Sequence, residues 1–256
     1  MNKRYKTCEI IPVEGIPWIE AGDSIGLLVV EALNQNEIKL EENDIIVIAQ
    51  KIVSKAEGQI RDLKDVIPSL KALELSKKMS NKDPRLVELI LQESKRILRV
   101  GDKTVIVETI HGFKCANAGI DLSNTGVDLA LLLPVDSDAS AWLIRSKIEE
   151  CLGIAPGVII SDTFGRPWRR GTTDIALGVA GLNPLHSFKG KKDKFGHPVR
   201  SVDAVADEIT GAAVLVMGKF RDVPVAILRG CDILKRTGSG QDLLKPIEKD
   251  IRGQCI

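Results

Sequence analysis

G-V-I-I-S-D-T-F-G-R-P-W-R-R-G, residues 157–171, begins as a short apolar run and ends in charged and turn-forming residues. The apolar residues 158–160 are typical of a buried strand, and Asp162 and Thr163 follow them closely. Ligand sites are often built where a rigid strand delivers polar side chains to the end of a sheet. An acid and a hydroxyl beside three arginines therefore predict a metal-dependent enzyme that acts on anionic substrates.

Length and composition are those of an ordinary globular protein. The chain has 256 residues, of which 44% are hydrophobic and 28% charged, enough for one large domain or two intimately joined subdomains. A net charge of +1 draws the chain neither to nucleic acid nor to a membrane surface. Aromatic residues make up only 4%, which argues against a platform for stacking bases. We expect no nucleic-acid partner and no membrane partner.

The cysteines and the N-terminus indicate a cytoplasmic protein. Five cysteines are scattered without a C-x-x-C pair, so we expect reduced thiols and neither a disulfide framework nor a zinc site. The first ten residues are charged and no apolar signal core follows them, and no run approaches the length of a membrane span. The cysteines are Cys8, Cys115, Cys151, Cys231 and Cys255.

Hydrophobic patterning predicts a mixture of strands and helices. Strands are predicted at 44–49, 104–109 and 224–228, with further apolar segments at 9–13, 129–133 and 175–181. Helices are predicted at 23–33, at 68–80, from an Asp83 cap through Ile97, from a Ser137 cap to about Cys151, and at 202–217. The charged tail from Gln241 predicts a surface helix.

Two carboxylates are candidate metal ligands. Asp121 lies in N-A-G-I-D-L-S-N and Asp162 follows the buried strand. A divalent ion that bridges phosphates commonly uses one or two carboxylates and keeps several waters, and Thr163 adds a hydroxyl ligand. The alternatives are that Asp121 organises a turn or caps a helix, and that Asp162 forms an ion pair with a nearby arginine.

Two groups of cations are candidate anion contacts. Lys51 and Lys55 are four residues apart, so on a helix they share one face and can meet phosphates; the alternative is a solvated surface. Arginine favours bidentate contacts with carboxylate or phosphate, and the alternative is a subunit interface or a salt-bridge network. The arginines considered as clamps for substrate carboxylates are Arg166, Arg169 and Arg170. No group is assigned as a catalytic acid, base or nucleophile.

Six ordered segments carry a resemblance that covers nearly the whole chain. They are I-P-V-E-G-I-P (11–17), Q-K-I-V-S-K-A-E-G (50–58), D-P-R-L-V-E-L-I-L (83–91), H-G-F-K-C-A-N-A-G-I-D-L-S-N (111–124), D-T-F-G-R-P-W-R-R-G (162–171) and A-D-E-I (206–209). With these segments the chain resembles the coenzyme F420-0:L-glutamate ligase family, also called F420:gamma-glutamyl ligase. No familiar phosphate loop or dinucleotide fingerprint occurs, so a nucleotide would bind in another way.

The resemblance implies an α+β protein with a mixed-sheet fold peculiar to the family, in an intertwined homodimer. It implies one domain over 1–256, without the nitroreductase-like domain that some bacterial relatives carry. The implied activity is the GTP-dependent addition of L-glutamate to F420-0, followed by gamma-linked glutamates, through an acyl phosphate with release of GDP and phosphate. Mg²⁺ or Mn²⁺ is expected, with stimulation by K⁺. Two alternatives are a paralogous amino-acid ligase with another carboxylate acceptor and a nucleotide-binding protein without ligase activity.

The same resemblance implies roles for individual residues. Asp121 and Asp162 match the ligands of one divalent ion, and Thr163 matches a ligand of a second. Some relatives carry a glutamate that binds the second ion where this chain has Lys219, which can instead contact phosphate. The positions that match GTP contacts are Ile16, Pro17, Trp18, Ile19, Gln50, Lys51, Lys55, Asn124, Met217, Gly218, Lys219, Phe220, Arg221, Asp222, Val223 and Pro224.

Overall fold

The computed structural model describes residues 7–231 and 237–245, which form a mixed α+β fold as predicted. The helices are α1 (Ile25–Gln35), α2 (Gln50–Ala56), α3 (Leu70–Lys78), α4 (Pro84–Gln92), α5 (Ser137–Leu152) and α6 (Val205–Met217). The strands are β1 (Glu9–Val13), β2 (Ile45–Ala49), β3 (Ile60–Asp62), β4 (Ser94–Val100), β5 (Val105–Thr109), β6 (Lys114–Ala116), β7 (Leu129–Leu131), β8 (Gly157–Gly165), β9 (Thr172–Ala180), β10 (His186–Ser187), β11 (Val202–Asp203) and β12 (Val225–Arg229).

A five-stranded sheet in the order β1-β12-β2-β8-β9 forms the centre of the fold. Its strands pair antiparallel except β2 and β8, which run parallel, so the sheet is mixed as expected. Side chains alternate between the two faces. Ile46 and Ile48 of β2 pack with α1 and α5 on one face, and Ile45 and Val47 pack with α6 on the other. Both faces are covered, which explains why these strands read as continuous apolar runs.

Smaller sheets and two helices lie beside the central sheet. Helices α3 and α4 pack on the three-stranded sheet β4-β5-β6 through a core that includes Val105 and Val107. Strands β3 and β7 pair with each other, and Asp121 forms a bridge to Leu131 at the end of β7. Phe113 meets Phe164 of β8 edge-on, with ring centroids 6.2 Å apart. This contact connects the smaller sheets to the end of β8 that carries the opening motif.

A β-bulge lies immediately before the polar end of β8. Ile160 pairs with Gly178 but Ser161 pairs with Ala176, so Leu177 is an extra residue on β9. A bulge bends a strand and re-aims the side chains that follow it. Gly178 also lies against the first turn of α5, where an added Cβ would fall 2.2 Å from the Ser137 carbonyl oxygen. The bulge and this close approach fix the course of β8 and β9 at the polar end.

Three predicted boundaries were wrong for local reasons. Ile97 lies in β4, because α4 ends at Gln92 and the following residues pair with β5. The cap of α5 is Asp136, whose carboxylate accepts from the Ala139 amide at 3.0 Å, and Ser137 is the first helical residue. Helix α6 begins only at Val205, because β11 pairs with β10 just before it.

The expectation of reduced cysteines was wrong for two of the five. Cys8 and Cys231 form a disulfide with their Cα atoms 5.7 Å apart. Their proximity follows from the pairing of β1 with β12, because Glu9, next to Cys8, pairs with Arg229, which lies two residues before Cys231. A sequence separation of 223 residues hid this proximity. Cys115 and Cys151 are free thiols, and Cys255 lies outside the described residues.

The C-terminal tail is described only as far as residue 245. Its described part forms a short 3₁₀ turn at Gly240–Leu243, and the rest of the helix predicted there lies outside the described residues. Within 7–231 and 237–245, no helix has both the length and the apolarity needed to cross a membrane. The single-domain organisation and the intertwined homodimer stay predictions.

Candidate active site

A cavity of about 770 Å³ opens where β2 and β8 reach their carboxyl ends. Ala49 pairs with Ser161 there, and α2 begins at the next residue, Gln50. The volume of the cavity falls in the usual range for small-molecule sites. Most of the predicted site residues line it, namely Ile16, Pro17, Trp18, Ile19, Gln50, Lys51, Lys55, Asp121, Asn124, Asp162, Thr163, Met217, Gly218, Lys219, Phe220, Asp222, Val223 and Pro224. Chain segments distant in sequence thus meet around one space.

Four predicted site residues do not line this cavity. Arg221 extends from the loop after α6 and donates to the Val216 carbonyl oxygen at 3.4 Å. The three candidate clamps follow β8 on an exposed segment, where Arg166 donates to the carbonyl oxygen of Arg170 at 3.3 Å. The proposed carboxylate contacts of Arg166, Arg169 and Arg170 stay predictions.

Asp121 is held by contacts on both of its carboxylate oxygens. Oδ1 accepts from the Ser123 amide at 2.7 Å, and Oδ2 lies 2.7 Å from Lys51 Nζ. Burial pushes the pKa of Asp121 up, but the hydrogen bonds from Lys51 and Ser123 outweigh it and leave that pKa below its ordinary value. Asp121 therefore organises a turn, as one alternative held, and also presents a stable negative charge to the cavity.

Asp162 is in the opposite electrostatic situation. Burial raises the pKa of its carboxyl to about 7, the Thr163 amide opposes the rise, and the charges of Asp121 and Asp174 add to it. The cation that opposes the rise is Lys51 and not one of the arginines that follow the strand. The charge of Lys51 does not offset the effect of burial and of the neighbouring carboxylates on Asp162, and a bound cation would supply further positive charge.

Lys51 and Lys55 lie on one face of α2, which confirms the helical spacing. Lys55 is buried at 5% exposure, and its Nζ lies 3.5 Å from the centre of the Trp18 ring. Burial lowers the pKa of Lys55, the charge of Lys51 lowers it further, and Asp121 opposes both. Two ammonium groups on one wall make the cavity suitable for a multiply charged anion such as a phosphate chain.

Sequence reasoning missed several residues of the cavity. Asp174 accepts from Thr163 Oγ1 at 2.7 Å, and burial raises its pKa while the Lys219 charge opposes that rise. Ser161 and Cys115 also line the space. Burial of the Cys115 thiol raises its pKa to about 12, and the charge of Asp162 adds to the rise. Only the strand register reveals Asp174, because it stands opposite Thr163 on β9.

Two buried polar atoms in the cavity wall have no hydrogen-bond partner among the residues that the structure describes. They are Gln50 Nε2 and Ser161 Oγ, and each residue is only 1% exposed. The other amide atom of Gln50, Oε1, accepts from Ser54 Oγ at 2.7 Å, which fixes the orientation of the side chain. An unpartnered buried polar group costs free energy unless a ligand or water satisfies it. The pair thus forms a polar patch suited to ligand oxygens.

The donor set fits a hard divalent cation that also binds a phosphate chain. Carboxylate oxygens of Asp121 and Asp162 and the hydroxyl of Thr163 are ligands that Mg²⁺ and Mn²⁺ accept. Within 7–231 and 237–245, no three His, Cys, Asp or Glu side chains form a cluster that would enclose a metal. Magnesium bound with nucleotide normally takes few protein ligands, so this sparse set is the expected one.

Comparison with known proteins shows the family of this chain. A sequence model of the family described as F420-0:Gamma-glutamyl ligase matches residues 15–230. The coenzyme F420:L-glutamate ligase of Methanothermobacter thermautotrophicus is 48% identical over 94% of this chain and 97% of its own length. The enzymes of the same name from Methanocaldococcus jannaschii and Archaeoglobus fulgidus are 42% and 36% identical, covering 98% and 97% of this chain and 99% and 97% of their own lengths. The chain is a ligase and belongs to the F420-0:gamma-glutamyl ligase family.

Proposed function

We propose that this ligase uses GTP to join L-glutamate to coenzyme F420-0 and then adds further gamma-linked glutamates. One observation carries the proposal: two carboxylates, two lysines and the 217–224 loop meet around a single cavity of about 770 Å³. Such a cavity can take a nucleotide with its counter-ion, and the names of the relatives supply the two substrates to be joined.

The reaction needs an activated carboxylate. A free carboxylate is a poor electrophile, so the γ-phosphoryl group of GTP is transferred to the F420-0 carboxylate, which gives an acyl phosphate and GDP. The glutamate amine then attacks the acyl carbon, the bond to phosphate breaks, and inorganic phosphate leaves as the amide forms. Phosphoryl transfer depends mainly on positioning and on stabilising charge.

The residues of the cavity provide those two effects. Asp121 and Asp162 would hold Mg²⁺ or Mn²⁺, with Thr163 beside them, and the ion would neutralise charge on the phosphates. Lys51 and Lys55 supply fixed positive charge from α2. The polar patch of Gln50 Nε2 and Ser161 Oγ offers donors to substrate oxygens.

Two further parts of the proposal concern assembly and ions. Large apolar side chains remain exposed near the turn at Leu63–Asp65, including Ile67 at 88%, Leu70 at 80% and Val127 at 90%. Exposed apolar surface of this kind supports a homodimer, which light scattering would test. Stimulation by K⁺ rests on the family resemblance alone, and comparing turnover in potassium and sodium salts would test it.

The central experiment is a reconstitution. Purified protein is incubated with F420-0, L-glutamate, GTP and Mn²⁺, and mass spectrometry follows the coenzyme while chromatography follows GDP. We expect one GDP for each glutamate added, and a reaction in which ATP replaces GTP should be much slower. F420-0 that stays unchanged would contradict the proposal, and the same incubation with other carboxylates would then test the alternative of a ligase for another acceptor. Absence of GDP release with both substrates present would instead indicate a nucleotide-binding protein without ligase activity.

A further inference from the structure

Lys51 is fully engaged by residues of the 121–123 segment. Its ammonium group lies 2.7 Å from Asp121 Oδ2, 2.7 Å from Ser123 Oγ and 3.3 Å from the Ser123 carbonyl oxygen. A lysine has three N–H donors, so this set uses all of them. The contact joins α2 to a segment about seventy residues later and places the ammonium on a candidate metal ligand.

The ammonium group of Lys51 competes with a divalent ion for the carboxylate of Asp121. Oδ1 of Asp121 already accepts from the Ser123 amide, and Oδ2 faces the ammonium. A divalent ion bound to this carboxylate would be held next to a second cation, with Lys55 one turn away on the same face of α2. Like charges at such separation repel strongly in a partly buried site. Lys51 must therefore move before Asp121 can bind a divalent ion well.

A phosphate chain in the same cavity would give Lys51 a new partner. Lys51 and Asp121 both line the cavity, so the ammonium can leave the carboxylate for a phosphate oxygen without leaving that space. Without nucleotide, a displaced ammonium loses all three contacts and faces the incoming ion. With nucleotide, both cations have anionic partners.

We propose that Lys51 is a positioning residue that couples the binding of nucleotide to the binding of the divalent ion. Lys51 competes with the ion for Asp121, and the phosphates of the nucleotide draw Lys51 away. The ion alone then binds weakly, and each ligand strengthens the binding of the other by the same factor. This inference rests on the proposed function, because it takes Asp121 as a ligand of the ion.

The test measures Mn²⁺ binding to the full-length protein by electron paramagnetic resonance, with and without GDP. We expect wild-type protein to bind Mn²⁺ about tenfold more tightly with GDP, within the usual range of coupling between sites. Lys51→Met should bind Mn²⁺ alone several-fold more tightly than wild type, and GDP should then strengthen Mn²⁺ binding by a smaller factor than in wild type, because only the direct contribution of its phosphates remains. Lys51→Arg keeps a cation and should restore weak binding of Mn²⁺ alone.

A matched control is Lys147→Met, since Lys147 pairs with Glu150 at 2.6 Å on α5 and does not line the cavity. It should leave Mn²⁺ binding as in wild type. Lys51→Gln replaces Lys51→Met if the latter fails to fold. Equal Mn²⁺ affinity in wild type and Lys51→Met, or a GDP effect as large in Lys51→Met as in wild type, would overturn the inference.

One more variant separates this inference from the proposed function. If Asp121→Asn binds Mn²⁺ like wild type, Asp121 is not a ligand and the proposed metal site is wrong. If Asp121→Asn loses Mn²⁺ while Lys51→Met matches wild type, the metal site stands and only the coupling role of Lys51 fails.

Discussion

Thr163 and Asp174 stand directly opposite each other on β8 and β9, and Thr163 Oγ1 donates to Asp174 Oδ1 over 2.7 Å. A hydroxyl that donates its proton in this way keeps its lone pairs free to accept a cation. Asp174 thus orients Thr163 toward the role that the resemblance implies. The positive charge of Lys219 acts on Asp174 from the loop after α6.

Replacing Lys219 by Met should raise the KM for GTP by about tenfold with little change in the KM for glutamate, because a charge-assisted contact to phosphate is lost. Steady-state kinetics with each substrate varied in turn gives both constants. Lys191→Met, in the exposed loop between β10 and β11, is the control for removing one charge. An unchanged KM for GTP would exclude a phosphate contact at Lys219.

Replacing Asp162 by Asn should abolish turnover that depends on a divalent ion and should stabilise the ligand-free protein above pH 7. Because the pKa of the folded carboxyl is about 7, above its ordinary value of 3.8, ionisation costs stability as pH rises through that interval. The variant escapes this cost, so its Tm at pH 8 should exceed that of wild type by on the order of 5 °C. Near pH 4 the two should coincide.

Calorimetry at pH 4, 6 and 8 follows this difference in Tm. Asp65→Asn, at an exposed position in the 3₁₀ turn Leu63–Asp65, controls for the loss of one carboxylate. Full activity in Asp162→Asn would remove Asp162 from the site, and a Tm difference that does not vary with pH would contradict the raised pKa.

Replacing Ser161 by Ala should leave stability unchanged or raise it by about 1 kcal/mol, because the hydroxyl has no hydrogen-bond partner within 7–231 and 237–245. Nucleotide affinity should fall several-fold if the hydroxyl donates to substrate. Urea unfolding and calorimetric titration with GDP measure the two effects. Ser76→Ala removes a buried hydroxyl that donates to the Lys82 carbonyl oxygen, and it should instead lower stability by about 1 kcal/mol.

Replacing Arg169 by Ala should raise the KM for glutamate or for F420-0 by about tenfold, since a guanidinium clamp on a carboxylate would be lost. The structure places Arg169 outside the cavity lining, so this measurement decides its role directly. Arg200→Ala, at an exposed position before β11, serves as the comparison. The clamp hypothesis fails if both KM values stay unchanged.

Replacing Arg229 by Ala should destabilise the fold by about 3 kcal/mol, because it leaves a buried carboxylate without its partner. Arg229 Nη2 lies 2.6 Å from Asp44, whose side chain is 1% exposed, and the same nitrogen donates to the Lys39 carbonyl oxygen. Chemical unfolding measures the loss. Arg99→Ala on the exposed side of β4 should change the free energy of unfolding by less than about 0.5 kcal/mol.

Local patterns predicted the parts of the fold whose causes are local. The β-branched run before Gln50 predicted β2, and the four-residue spacing of Lys51 and Lys55 predicted that they share a face of α2. The Asp83-Pro84 pair gave the start of α4, where Asp83 accepts from the Arg85 amide. In each case the deciding contacts lie within a few residues of one another.

Contacts between distant segments could not be predicted from spacing. The ion pair of Lys51 with Asp121 depends on how β7 and α2 meet, and the bond of Thr163 to Asp174 depends on the register of β8 and β9. The bulge at Leu177 shifts that register by one residue, and the residue types at this position do not predict a bulge. The family resemblance implied that Asp121 and Asp162 bind one ion. Only the structure shows that the surroundings lower the pKa of Asp121 and raise the pKa of Asp162.

The disulfide between Cys8 and Cys231 makes nearly the whole described chain one covalent ring. A single cut by a protease anywhere between these residues would open the ring without releasing a fragment. Nicked protein would then migrate as one species on a gel run without reductant and as two once dithiothreitol is added.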